Sequence, residues 1–299
     1  MKEFNKIIKE IGEELDIKVT LLSDNWTKVL EKDNQIHYIT GYQFDLNNHG
    51  IGNIMDDKGL FYDLLKYKSI PVIEQKIIFS DYNKDDVLNY FHLHNDEIIV
   101  KGNVGNAGKE VFKINDEKEL FKIIDKLFLK EYSLSLCPYY HIKNEYRVIV
   151  LNNQVRLIFG KEKPTIVGDG ISTVKELAIN YNNYYKMHQD SIKNSDYIPK
   201  LNEKIELSYK FNLSQGAKSF TDIPIQLKSE IIDLALLVAR KLNITFASID
   251  IINTIDNKLL VLEANSGVTL NKFMIQNNSY DLVYNIYLDA IKTMFKIEK

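Results

Sequence analysis

The chain has 299 residues and a mass of 34.8 kDa, more than one compact core usually holds, so two or three packed lobes are expected. Hydrophobic residues make up 45% and charged residues 26%, the profile of a soluble globular protein, and a net charge of −3 argues against a general nucleic-acid or membrane-surface binder. A single cysteine, Cys137, excludes an intrachain disulfide framework and a thiolate-rich metal site, and no apolar run reaches the roughly 18 residues of a membrane span.

The N-terminal MKEFNKIIKE is charged and lacks an apolar signal core, which points to the cytoplasm. Phe4, Ile7, Ile8 and Ile11 recur at helical spacing and predict a helix over 2–14. Strands are expected near 26–31 and 35–40, with Asp33-Asn34 as the hairpin turn. GYQFDLNNHGIGN then reads as a polar, Gly- and Asn-rich loop, either facing a site or simply connecting. Residues 56–67 predict a helix opened by Asp56 or Asp57, with Leu60, Phe61, Leu64 and Leu65 inward. Ile70-Pro71-Val72 ends it.

A second α/β unit is expected over about 76–136: a strand at 97–101, a Gly-rich turn, a strand near 110–114 and a helix over 116–129. That helix carries an apolar stripe of Leu120, Ile123, Ile124, Leu127 and Phe128. His92 and His94 read as alternating on one strand, either as metal ligands or as exposed residues. From 146 the pattern becomes hairpins, with 148–151 and 155–159 flanking Asn152-Asn153. A Gly-Asp-Gly turn, a short helix at 172–180 and a polar, mobile connection over 182–200 follow. A helix at 226–242 faces Ile231, Leu234, Ala235, Val238 and Leu242 inward, strands at 244–252 and 258–264 are joined by Asp256-Asn257, and a last helix fills 279–296. Antiparallel hairpins among helices favour an α+β fold.

The sharpest chemical feature is FASIDIIN followed by LLVLEANSG, two apolar strands in which an acid is out of place. Ser248, Asp250 and Ile252 share one face, as do Glu263 and Asn265, and a tight hairpin can bring these faces together. Two carboxylates buried side by side cost several kcal/mol unless a cation or proton compensates, and an all-oxygen set suits a hard ion such as Mg²⁺. The competing reading is a pair of strand-end acids turned to solvent.

Four further features are weaker. Lys101 ends a strand of buried character and is followed by Gly102, Gly105 and Gly108, where backbone N–H groups can approach a phosphate; a plain Gly-rich turn has the same pattern. Lys58 opens a helix and is either a second phosphate ligand or a surface lysine. Glu145 and Arg147 share one face of a strand, as ribose and phosphate ligands or as half of a cross-strand ion pair. Lys210, Asn212, Ser214 and the turn 215–217 form a donor-rich loop, able to bind an oxyanion or merely polar. Cys137 reads as a reactive thiol or as a hinge or core cysteine.

Taken in order over roughly 56–299, these segments resemble the ATP-grasp superfamily of carboxylate–amine ligases, in particular cyanophycin synthetase-like and glutathione synthetase-like members. DDKGLFYDLLKYKSIPV, IIVKGNVGNAGKEVF, EYRVIVLNNQVRLIFGKEKPTIVGDGISTVKEL, FNLSQGA and SIDIIN…LEANSG carry the resemblance. It implies two α+β lobes clamping ATP: a small lobe over 76–136, a large lobe over 137–299 holding the metal site, a connecting helix and strand at 56–75, and a short N-terminal region over 1–55. It also implies amide-bond formation through an acyl phosphate, on small-molecule or peptide substrates, with no nucleic acid or membrane partner; a homodimer stays open.

The resemblance assigns Lys58 and Lys101, with Gly105 and Gly108, to the ATP phosphates and Glu145 to the ribose. Asp250, Glu263 and Asn265 match the ligands of Mg²⁺, two ions, with Mn²⁺ a possible replacement. Arg147, Lys210 and Asn212 fall where members bind the phosphates, the acyl phosphate or the second substrate. The hinge departs from the pattern, since Pro138 stands where many members place an acid, leaving Tyr139, Tyr140 and His141 to meet adenine. An ATP-grasp kinase, a thioester-forming ligase and a nucleotide-binding regulatory module without turnover are the alternative activities.

Overall fold

The computed structural model describes residues 1–105 and 110–298. The chain divides into two compact units, Met1–Ile158 with Ile225–Thr269 and Tyr284–Lys299, and Phe159–Pro224 with Leu270–Val283.

In the first unit, α1 (Lys2–Glu14) buries Phe4, Ile7, Ile8 and Ile11, the stripe its spacing predicts. β1 (Lys18–Leu21), β2 (Thr27–Lys32), β3 (Gln35–Thr40) and β4 (Gln43–Phe44) form an antiparallel sheet in that order. The β2–β3 turn puts Asp33 and Asn34 at φ 47° and 62°, the left-handed region that Asn and Asp tolerate. Residues expected in a loop form α2 (His49–Asp56), because Asn48 accepts the Ile51 N–H at 2.9 Å and Ile51 and Met55 find a core. α3 (Lys58–Tyr67) follows from the N-cap Asp57 and buries Phe61 and Leu65, whereas Leu60, expected inward, is 53% exposed.

β5 (Lys76–Phe79), α4 (Lys84–Leu93), β6 (Ile98–Gly102), β7 (Phe112–Ile114), α5 (Glu117–Phe128) and β8 (Ser133–Pro138) come next. Their sheet has the order β5-β8-β6-β7, all antiparallel, and α4 and α5 share its core through Val87, Phe91, Leu120 and Ile124. His92 and His94 are therefore not strand residues: His92 lies in the last turn of α4 beside Asp96, and His94 caps its end. Asn83 caps α4, and Val87, Tyr90 and Phe91 bury its face.

β9 (Ile142–Leu151) and β10 (Gln154–Glu162) flank Asn152 and Asn153, at φ 52° and 58°. β10 carries the chain into the second unit, where β11 (Thr165–Val167), α6 (Val174–Tyr181), α7 (Asn183–Met187), β12 (Lys204–Glu206) and β13 (Lys218–Phe220) follow. The stretch expected to be an irregular connection holds α7 and a 3₁₀ turn, and its Tyr185 and Ile192 join Ile166, Val174 and Ala178 in a core.

α8 (Ile225–Leu242) returns to the first unit and buries Ile231, Ala235, Val238 and Leu242; Leu234 is only half-buried. β14 (Phe246–Thr254) lies between β9 and β15 (Leu259–Asn265). α9 (Asn271–Asn277), unforeseen in sequence, stacks Phe273 on Phe159 within the second unit, and α10 (Tyr280–Met294) follows. The N-terminal sheet is joined to β14 inside the first unit: Asn47 Oδ1 accepts from the N–H groups of Thr245 and Phe246, and its Nδ2 donates to the Phe246 carbonyl. The segment 41–50 is thus a structural clasp, with Gln43 bridging Gly267. Among the described residues, no helix is long and apolar enough to cross a membrane.

Candidate functional site

The site begins with register. On β14 and β15, Asp250 is the partner of Glu263 and Ser248 the partner of Asn265. On the other flank of β14, Asp250 is the partner of Arg147 and Ile252 of Glu145. Side chains alternate along each strand, so Glu145, Arg147, Asp250, Glu263 and Asn265 share one face of this sheet. The β14–β15 register then shifts after Asp250, leaving Leu262 without a β14 partner, a bulge that twists the ribbon next to the acids.

Asp250 is turned away from solvent, and Glu263 is half-buried. Asp250 is 1% exposed and Glu145 9%. Arg147 donates to Asp250 through Nε (2.8 Å) and Nη2 (2.5 Å), a bidentate fork fixed by two adjacent strands. Burial works against the Arg147 charge, but the facing Asp250, with Glu145 and Glu263, outweighs it and raises the pKa. The cross-strand ion pair that was one of the two readings of Arg147 is thus present, with Asp250 as its acid. Glu263 Oε1 accepts from Asn265 Nδ2 at 3.0 Å. Ser248, 1% exposed on the same face, has a buried hydroxyl with no hydrogen-bond partner among the described residues.

Lys58 stands at the start of α3, where Asp57 caps the helix by accepting the Leu60 N–H at 2.9 Å. Its Nζ donates to the carbonyls of Asn103 (3.0 Å) and Gly105 (2.9 Å), in the turn after β6. Burial, and then the charge of Lys101, push the Lys58 amine down to about 8, with Glu263, Asp57 and Glu131 pulling the other way. Lys101 and Glu263 are thus electrostatic neighbours of Lys58. Gly105 has φ 121°, a conformation that L side chains rarely adopt, so glycine is required there. Gly108 lies outside the described residues. A pocket in the first unit is lined by Lys58, Gly105, Glu263 and Asn265, with Tyr62 and Gln75.

At the hinge, the Tyr139 N–H donates to the Glu97 carbonyl at 3.0 Å and the His141 carbonyl accepts from Ile255 N–H at 2.9 Å. Lys113 Nζ lies 3.6 Å from the centre of the Tyr139 ring, and the Tyr140 hydroxyl accepts from the Glu74 N–H at 3.1 Å. Burial pushes Tyr140 up to about 12 and Cys137 up to about 12, so neither ionises near neutral pH. In the second unit, burial lowers the Lys210 pKa, and Asn212 Oδ1 accepts the Ser214 N–H at 2.8 Å in a turn closed by Gly216 at φ 97°.

Sequence reasoning missed Asn103, Gln75 and Tyr62. Asn103 is 4% exposed and Gln75 8%, and Gln75 Oε1 accepts from the Ser135 hydroxyl. A buried polar side chain among apolar neighbours was the available signal, but one Asn before a Gly-rich turn looks like ordinary turn chemistry.

The donor set fits a hard divalent ion: two carboxylates and an amide oxygen on one face, beside an unsatisfied buried hydroxyl. Among the described residues no group of three or more His, Cys, Asp or Glu is placed to hold a metal ion.

Residues 201–286 match the model of the RimK-like ATP-grasp domain. The chain is 28% identical over 230 residues to the glutathione biosynthesis bifunctional protein GshAB of Clostridium perfringens, an alignment covering 68% of this chain and 28% of that protein. The chain thus spans little more than a quarter of that relative's length. D-alanine–D-alanine ligase from Bacillus anthracis superposes with a TM-score of 0.57 at 17% identity, over 82% of this chain and 68% of that one. A bifunctional glutathione synthetase from Pasteurella multocida superposes with a TM-score of 0.53 at 16% identity, over 94% of this chain and 41% of that one. The family match thus falls on the stretch from β12 into α10, and the fold of most of the chain is that of these ligases.

Proposed function

We propose that the chain is an ATP-dependent, ADP-forming ligase that joins a carboxylate to an amine through an acyl phosphate. The observation that carries this reading is the sheet face on which Asp250, Glu263 and Asn265 stand in register, with Lys58 an electrostatic neighbour of both Glu263 and Lys101. A carboxylate and a triphosphate repel one another, so a site joining them must supply compensating positive charge.

In this reading Asp250, Glu263 and Asn265 hold Mg²⁺, two ions, with Mn²⁺ as a substitute. The metal would supply charge neutralisation at the phosphates. Lys58, Lys101 and the backbone at Gly105, with Gly108, bind the phosphates. Glu145 accepts from the ribose hydroxyls, and Tyr139, Tyr140 and His141 border adenine. A carboxylate oxygen of the first substrate attacks the γ-phosphorus and ADP departs. The amine then attacks the acyl carbon, phosphate leaves with the C–O bond electrons, and the amine loses a proton. Arg147, Lys210 and Asn212 serve the anionic intermediate or the second substrate. The lobe over 76–136 covers the nucleotide.

The relatives are named for glutathione biosynthesis and for D-alanine–D-alanine ligation, and another solved neighbour is an ATP-grasp ligase, PsnB, complexed with a minimal precursor. An amino acid or peptide is accordingly the substrate class, and the cytoplasm the compartment. Phosphate release across a panel of amino-acid and peptide pairs tests the reading. Release that requires both an acid and an amine supports it. A phosphorylated product without free phosphate indicates a kinase, release requiring a thiol a thioester-forming ligase, and ATP binding without release a regulatory module.

A further inference from the structure

Asp250 is committed to a cation of the protein's own. It is 1% exposed, and both of its oxygens accept from Arg147. The contact does not depend on two flexible side chains meeting by chance, because Arg147 and Asp250 are register partners on adjacent strands. The cross-strand row reads Arg147, Asp250, Glu263, one positive charge beside two negative ones. An ionised carboxylate offers about four acceptor sites, and the fork occupies one on each oxygen. Among the described residues no cation is bonded to Glu263; its Oε1 takes the Asn265 amide. The Ser248 hydroxyl, opposite Asn265 on the same face, has no hydrogen-bond partner among the described residues.

A divalent ion approaching this face meets an attraction already halved, since the guanidinium neutralises one of the two acids. A guanidinium exchanges a carboxylate for a phosphate readily, because both present the same paired oxygens. We infer that Arg147 is a resident counter-ion for Asp250, which keeps the metal face at low affinity until an anionic phosphate draws the guanidinium away. Metal binding and triphosphate binding are then coupled through one side chain, and the coupling is reciprocal. This makes Arg147 a positioning residue acting through Asp250. The inference rests on the metal assignment of the ligase reading.

The test is binding of Mn²⁺ alone, without nucleotide, followed by the electron paramagnetic resonance signal of the free ion. Arg147→Met is expected to bind Mn²⁺ at least tenfold more tightly than the wild type. Arg147→Lys, which keeps the charge but loses the fork, is expected to fall between them. Adding Glu263→Gln should abolish the gain, which assigns the ion to this face. Circular dichroism establishes that each variant is folded; if Arg147→Met is not, Arg147→Lys decides. A folded variant that binds Mn²⁺ no more tightly than the wild type overturns the inference, as does a gain that survives Glu263→Gln. Because the readout is metal binding, it separates from the ligase reading. An active ligase with unchanged Mn²⁺ affinity sinks this inference alone. Tighter Mn²⁺ binding in a chain that releases no phosphate sinks the ligase and leaves Arg147 as assigned.

Discussion

The side-chain amide of Asn103 is bonded at both ends to the start of α3: Nδ2 donates to Asp57 Oδ2 at 2.9 Å, and Oδ1 accepts the Gly59 N–H at 3.0 Å. The Asn103 carbonyl also accepts from the backbone N–H of Lys58 at 3.2 Å and from its Nζ at 3.0 Å. One residue therefore fixes both the helix that presents Lys58 and the turn that follows Lys101. Asn103→Ala removes the two amide bonds but leaves Asp57 capping Leu60. Each lost bond costs on the order of 1 kcal/mol, so the expected destabilisation is about 1–2 kcal/mol. Nucleotide affinity should drop several-fold, because Lys58 loses its fixed geometry. Denaturant unfolding and a nucleotide titration measure the two effects, and an unchanged affinity would separate Asn103 from the site.

Glu263→Gln tests the metal face without disturbing the fold. Glutamine keeps an oxygen at the position that accepts from Asn265, so the local hydrogen bond survives. The charge is lost, and with it the attraction for a hard ion. The melting temperature should move by no more than a degree or two, whereas acceptor-dependent phosphate release should fall to background. Release at the wild-type rate would remove Glu263 from the metal assignment.

Much of this arrangement was legible because periodicity and turn chemistry are local. The Asn152-Asn153 turn follows from residues that tolerate positive φ, and the α5 stripe from spacing alone. The shared face of Asp250 and Glu263 follows from the period of two, even though a bulge interrupts the ribbon just beyond them. Register across strands is not local. The sequence shows that Arg147 and Asp250 are charged residues in apolar strands, but only pairing reveals that they are opposite each other. His92 and His94 alternate in sequence like strand residues, while burial follows Val87, Tyr90 and Phe91 at helical spacing. α2 has a Gly- and Asn-rich sequence of weak intrinsic propensity, and its cap and the burial of Ile51 and Met55 override that preference.

Lys58 gives the site a pH dependence of definite sign. Its amine sits at about 8 because burial and the neighbouring Lys101 disfavour the charge. A bound triphosphate favours the charged form and raises the value, so binding near pH 8 takes up a proton. Above pH 8 that proton must be supplied from solution, and affinity weakens as pH rises. If the bound amine titrates near its ordinary value, the dissociation constant should increase about tenfold between pH 7 and pH 9. Lys58→Arg, whose guanidinium stays charged throughout, should flatten this contribution. A nucleotide titration across that range checks it, and equal slopes in wild type and variant would detach the dependence from Lys58.

Lys28 carries the last prediction, and it concerns stability rather than the site. The residue is fully buried on the inner face of β2, where its Nζ donates to the carbonyls of Trp26 (2.8 Å) and Gly41 (3.0 Å) and lies 4.8 Å from the centre of the Phe4 ring. Burial lowers its pKa from 10.5 to about 8, against the pull of Asp24. Between those two values the unfolded chain holds a proton that the folded chain has released. Folding is therefore increasingly favoured as pH rises through this window, and below pH 8 the group contributes its full penalty in both acid and neutral solution. The neutral amine still has two N–H bonds for the two carbonyls, so deprotonation removes the charge without orphaning an acceptor. Lys28→Met removes the charge at every pH and takes the amine donor from both carbonyls, of which Trp26 keeps the Gly41 N–H at 3.0 Å. The unfolding free energy of wild type minus that of Lys28→Met, measured in urea at pH 7.5 and pH 9.5, should shift in favour of the wild type at the higher pH. Taking the difference cancels the other lysines and tyrosines that titrate in this range, and a difference that does not change would mean that Lys28 keeps an ordinary pKa in the folded chain.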